Sequence, residues 1–202
     1  MRAPRSTRSE GVRVVLILIA LMWVSEIVDA SIGHSLDQYG IEPREPDGLP
    51  GVVAAPLLHL GFDHLISNTI PLALMGFGIA LAGAARVISV TIVVGLLGGL
   101  GTWLTAPADS VTIGASGIVF GYAAYLASRG AFTRHVTDIG LGLVVLAIYG
   151  GALAGGLAPQ DGISWQGHLF GAIGGIVAAR YVAPVRGHGA KGRLGTSARV
   201  SR

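Results

Sequence analysis

No cysteine occurs among the 202 residues, which excludes disulfides, a thiol nucleophile and thiolate metal sites. Charge is scarce as well. Only 12% of residues are charged, against about a quarter in an ordinary soluble domain. No HExxH pattern is present, and His59 and His64 in "HLGFDH" do not share a helical face, so the sequence offers no metal site for catalysis and calls for no cofactor. No internal repeat is visible, and the 32 glycines follow no collagen-like period. What is there is apolar. The chain is 51% hydrophobic, with a mean hydropathy of +0.66. Rich in glycine as well, it reads as one membrane-embedded helical domain whose helices approach closely.

Six apolar segments have near-spanning length: 12–30, 65–85, 87–106, 113–127, 139–157 and 168–183. The first lacks a small-residue cleavage site and carries Glu26 and Asp29 near its far end, so it reads as a retained span rather than a signal peptide. The fold expected is all-α, a six-helix membrane bundle over 12–184, with a basic tail at 1–11 and a basic, disordered tail at 185–202.

A net charge of +3 and a pI near 9.7 would point to nucleic acid in a soluble protein. Here the basic residues sit in tails and short loops. Arg2, Arg5, Arg8 and Arg13 precede the first segment, and Arg86, Arg129 and Arg134 fall in alternate loops. The opposite loops hold Asp37, Glu42, Glu45, Asp47, Asp109 and Asp161, with Arg44 as their lone basic residue. The positive-inside rule then places both termini in the cytoplasm, with no nucleic-acid partner.

This topology brings four polar residues to one depth near the outer face. His64 and Asn68 stand in the first turns of the second segment, Ser116 opens the fourth and His168 opens the sixth. Polar groups at membrane depth are costly and commonly functional. From Ser116 to Ala127 the helix would be about 18 Å long, and the sixth segment about 24 Å, both short of a hydrocarbon core of about 30 Å. The site would therefore be sunken, with the loop 107–115 descending to it.

Glycines allow Ser116 and His168 to meet. Gly117 and Gly121 are spaced by four on one segment, and Gly167, Gly171 and Gly175 on the other, so the two backbones can touch. A histidine beside a serine is the usual base for a hydroxyl nucleophile. His64 and Asn68 share a helical face and, with the Ser116 N–H, could form an oxyanion hole.

Each residue alone has a plainer reading. Ser116 reads as a packing residue, His168 as a helix-end hydrogen-bonding group, and His64 and Asn68 as helix cross-links. Glu26 and Asp29 read as structural groups at the outer interface.

The motifs "HLGFDHLISN" at 59–68, "GASG" at 114–117 and "GHLFGAIGG" at 167–175 resemble, in this order, those of the rhomboid intramembrane serine proteases. The resemblance spans 12–183. It implies a six-helix core and a Ser–His dyad without an acid partner. Ser116 would be the nucleophile and His168 the base. His64 and Asn68, with Ser116, would be the oxyanion donors, and Gly114 would shape the serine loop. Two departures stand out. Pro50 and Gly51 occupy the place of a Trp-Arg pair in the first outer loop, and Phe120 replaces the Tyr that stacks on the catalytic histidine.

The expected activity is that of a serine endopeptidase cutting transmembrane segments of other proteins, with those segments and membrane lipids as partners. A rhomboid-like protein that binds membrane segments without cutting them is the alternative. A small transporter is a third reading, disfavoured by the absence of paired inverted halves.

Overall fold

The computed structural model describes residues 7–160 and 162–182, which form seven helices and, among the described residues, no strands. Six helices are long: α1 (Arg8–Ser31), α3 (Phe62–Ala80), α4 (Ala84–Thr105), α5 (Ser116–Thr133), α6 (Val136–Gly156) and α7 (Trp165–Tyr181). The short α2 (Gly51–Ala54) lies in the loop between α1 and α3, flanked by 3-10 turns at 46–48 and 55–57. The C-terminal tail expected at 185–202, most of the N-terminal one and Asp161 fall outside the described residues.

Three of the helices, α1, α4 and α6, are long and apolar enough to cross a bilayer. With the segment 46–57, from which it turns by 72°, α3 makes a fourth. The family of six expected spans is present as helices, with changed bounds. α1 begins at Arg8 because Thr7 and Glu10 form a capping box: Thr7 Oγ1 accepts the Glu10 N–H and Glu10 accepts the Thr7 N–H. α5 does not stop at Ala127. It continues to Thr133, because the polar residues that seemed to end it have partners. Arg129 pairs with Asp138 at 3.0 Å and donates to the Tyr125 hydroxyl. Arg134, in the left-handed region, then closes the helix. With 18 residues α5 is about 27 Å long, so the expected argument from a 12-residue helix fails.

α7 lies between α4 and α5, and these three helices form the centre. α1 packs on α3 and α4 through a stripe at Gly11, Val15, Met22, Glu26 and Asp29. α6 rests chiefly on α5 and buries only Gly142 and Val145. Its exposed face is almost wholly apolar, as a lipid-facing helix requires.

Candidate active site

The close approach of α5 and α7 is built from glycine. A Cβ placed on Gly171 would overlap the Gly117 carbonyl, and one on Gly175 would overlap the Gly121 carbonyl. One on Gly117 would stand 3.2 Å from the Gly167 oxygen, and one on Gly121 would strike Val94 of α4. The two four-residue ladders therefore interlock, and any side chain on them would separate the backbones. α4 joins from the other side, where a Cβ on Gly174 would stand 3.0 Å from the Val94 Cα.

That register puts Ser116 at the first turn of α5 beside His168 of α7. His168 Nε2 lies 2.9 Å from Ser116 Oγ. His168 Nδ1 lies 2.7 Å from the Gly156 carbonyl, which accepts its proton. Nδ1 must then carry the hydrogen, leaving the Nε2 lone pair to face the hydroxyl. Phe120, one turn after Ser116, stacks on the imidazole with ring centroids 3.9 Å apart and planes within 6°. A ring without a hydroxyl thus still packs the histidine face. His168 does not open α7. The helix starts at Trp165, where Ser164 Oγ accepts the Gly167 N–H at 3.4 Å, and His168 follows within the first turn.

The loop before Ser116 is held from the outer loop. Ile41 and Thr112 exchange both backbone hydrogen bonds, at 2.9 and 3.0 Å, and the Gly114 N–H donates to the Ala55 carbonyl at 2.8 Å. Gly114 has φ +111, a conformation that favours glycine, and a Cβ there would stand 2.7 Å from the His64 ring. His64 therefore lies directly against the serine loop. Its Nδ1 accepts the Leu60 N–H at 3.2 Å, which leaves Nε2 as the protonated nitrogen and a donor. Asn68 Nδ2 spends one hydrogen on the His64 carbonyl at 2.9 Å and keeps the second. The first amides of α5 have no intrahelical partner, so the Ser116 N–H is also available.

His64, Asn68, Ser116, Phe120 and His168 all border one open cavity of about 1000 Å³. Met75, Tyr149 and Leu153 complete its apolar side. The four polar residues expected to converge are thus brought together. A second space of about 40 Å³ lies behind the serine, with Thr102, Ser164 and Gly167 in its wall.

The Pro50–Gly51 departure has a local solution. Arg44 ties this loop to α4: its guanidinium donates to the Ala106 carbonyl at 2.8 Å and the Leu104 carbonyl at 3.3 Å, capping the end of α4. Trp103 Nε1 donates back to the Glu45 carbonyl at 2.9 Å. Gly51 lets α2 sit on the Gly40 backbone, where a Cβ would overlap the Gly40 carbonyl.

Two contributors escaped the sequence reading. Gly156 acts through its carbonyl, and a Cβ on it would strike Phe120 and come within 3.1 Å of His168 Nδ1. Its only trace in the sequence is a glycine pair at the end of an apolar run. His59 is fully buried, accepts the Ala115 N–H at 3.4 Å and meets the His64 ring edge-on at 5.1 Å. It supports the serine loop and the His64 ring together.

An apolar helical bundle thus holds a serine and a histidine in contact beside two further donors. A family profile for the Rhomboid domain matches residues 47–185, and the chain belongs to the rhomboid family. An uncharacterized protein of Mycobacterium tuberculosis is 47% identical over 177 residues, covering 84% of this chain and 74% of its own. An uncharacterized protein of Mycobacterium leprae is 46% identical over 175 residues, covering 82% and 68%. A Bacillus subtilis protein named as a candidate rhomboid protease, YdcA, is 30% identical over 122 residues, covering 60% and 61%.

Proposed function

We propose that the protein is an intramembrane serine endopeptidase that cleaves transmembrane segments of other membrane proteins near their outer ends. The observation that carries the reading is the 2.9 Å contact of His168 Nε2 with Ser116 Oγ, with Nδ1 engaged at 2.7 Å by the Gly156 carbonyl.

In this reading His168 Nε2 takes the Ser116 proton as Oγ attacks the scissile carbonyl. The carbonyl oxygen becomes an oxyanion and accepts from the Ser116 N–H, His64 Nε2–H and the free Asn68 N–H. The imidazolium, still hydrogen-bonded to Gly156, gives its proton to the leaving amine. The acyl group stays on Ser116 until a water, deprotonated by His168, attacks it and regenerates the hydroxyl. Among the described residues no carboxylate orients the histidine; the backbone carbonyl and the Phe120 ring do that work. The 40 Å³ space behind the serine is large enough for a water, and Thr102 and Ser164 offer it hydroxyl partners. A substrate must unwind locally to present a carbonyl, because a helix hides its backbone groups.

The reading also places both termini in the cytoplasm and the cavity toward the outer face, following the charge asymmetry of the loops. Reporter fusions after Arg86 and Arg134 should read cytoplasmic, and one near Asp109 external. The direct test is labelling of the membrane-inserted protein by a fluorophosphonate. Wild type should label and Ser116→Ala should not. A wild-type protein that neither labels nor cuts a model transmembrane substrate is a binding protein instead.

A further inference from the structure

Four side chains at the C-terminal end of α1 take no part in the chemistry above. Glu26 and Asp29 are three residues apart and share a helix face. The chain then turns back, and His34 and Asp37 join them. Ligand-competent atoms of Asp29, His34 and Asp37 all lie within 4.8 Å of one another. His34 Nδ1 is 3.3 Å from Asp29 Oδ2, and the Leu36 N–H holds Asp29 Oδ1 at 2.7 Å. Glu26 lies one turn before Asp29 on the same buried face of α1.

Acidic clusters are common, and most are solvated. This one is enclosed. Glu26 is 1% exposed, and neither of its carboxylate oxygens has a hydrogen-bond partner. The Gly61 amide is directed toward it without meeting hydrogen-bond geometry. Asp37 Oδ1 is enclosed and unpartnered too. No Lys or Arg pairs with the three acids among the described residues; a half-exposed His34 is their one basic neighbour. Buried carboxylates are normally paired or bound to a metal.

We propose that Asp29, His34 and Asp37, with the buried Glu26 carboxylate beside them, form a binding site for a divalent transition cation, zinc before others. An imidazole among carboxylates favours zinc over calcium or magnesium, which prefer oxygen alone. Zinc holds nitrogen and oxygen ligands at about 2.0–2.2 Å, so ligand atoms around it stand about 3.5 Å apart. The present spacing closes to that by a small inward movement, which the exposed His34 can make. All four residues precede position 47, where the match to the family begins, and lie on α1 and the loop after it. The bound ion would fasten α1 to the loop that carries Ile41 and Ala55, the two residues that hold the serine loop.

The test uses the full chain in detergent micelles, stripped with chelator and dialysed against zinc, manganese or calcium. Metal content is read by mass spectrometry and stability by thermal unfolding. The wild type should retain about one zinc per chain and melt at a higher temperature with it. Glu26→Gln and Asp29→Asn should each lose zinc affinity by more than about tenfold. His34→Ala alters an exposed side chain, so the protein should fold and lose zinc to a similar degree. His135→Ala, a histidine elsewhere, should retain it. The proposal is overturned if the wild type retains no zinc, if it takes up calcium in preference, or if His34→Ala keeps full affinity. Removal of the cluster's charge by Glu26→Gln without any metal uptake by the wild type also overturns it.

Discussion

The α5–α7 and α5–α6 contacts differ in how far their closest packing extends. Between α5 and α7, glycine faces glycine along both helices and a single added carbon would overlap backbone. Of the α6 glycines, Gly142, whose added Cβ would stand 2.9 Å from the Leu126 carbonyl oxygen, and Gly156, whose Cβ would strike Phe120, are closely packed, whereas Gly140, Gly150, Gly151 and Gly155 have nothing within 4 Å of an added Cβ among the described residues. The first contact is rigid because backbone cannot yield as a side chain can. The second meets backbone that closely only near the start of α6. The proposed nucleophile and base both sit on the rigid contact. The carbonyl that fixes the histidine tautomer, Gly156, sits at the other end of α6. The proposed pair is thus held by one contact, and its support is supplied by another helix.

The largest effect should come from the pair itself. Ser116→Ala and His168→Ala should each lower cleavage of a model transmembrane substrate by more than about 10⁴-fold, and the double variant should be little worse because the two act as a unit. Near-wild-type cleavage by Ser116→Ala would end the enzyme reading.

Next comes the rigid contact. Gly171→Leu should force α5 and α7 apart, and a displacement of about 1 Å can cost about 100-fold in rate. The protein should still insert, since overpacking costs about 1–3 kcal/mol. Gly78→Leu, where a Cβ makes only ordinary contacts at 3.5 Å, should be milder, and Gly151→Leu on α6 should be silent. Normal cleavage by Gly171→Leu would show that the glycine ladder does not place His168.

The oxyanion donors should follow. His64→Ala and Asn68→Ala should each slow turnover by about 100- to 1000-fold without abolishing it, because the Ser116 N–H remains. Either variant at full rate removes that side chain from the hole.

The smallest effect concerns the ring that stacks on His168. Phe120→Leu removes the ring that stacks on His168, an interaction of about 0.5–1.5 kcal/mol, and should slow cleavage by about 2- to 10-fold. Restoration by Phe120→Tyr would separate stacking from any role of the hydroxyl.

The glycine ladders and the four polar residues were legible because their spacing repeats with the helix and their types are rare in apolar runs. The end of α5 was misread at Ala127 because Ser128 and Arg129 look like a boundary. Their cost is removed by partners within α5, the Ala124 carbonyl for Ser128 and the Tyr125 hydroxyl for Arg129, and by Asp138 of α6, which the tertiary structure supplies. Gly156 was invisible for a different reason. It contributes a carbonyl, which every residue has, and only the fold decides which one meets a histidine. The His59 contact is of the same kind: the sequence shows a histidine, but its partner amide at Ala115 lies 56 residues away.

The separation of Ser116 from His168 also has a meaning for biosynthesis. The two are 52 residues apart in the chain. At about 5–20 residues per second, a ribosome adds the histidine roughly 3–10 s after Ser116. Throughout that interval the nascent chain holds the serine without its proposed base. Under the proposed function the separation acts as a delay: a chain arrested at Gly156 should take no fluorophosphonate, and one extended through Tyr181 should.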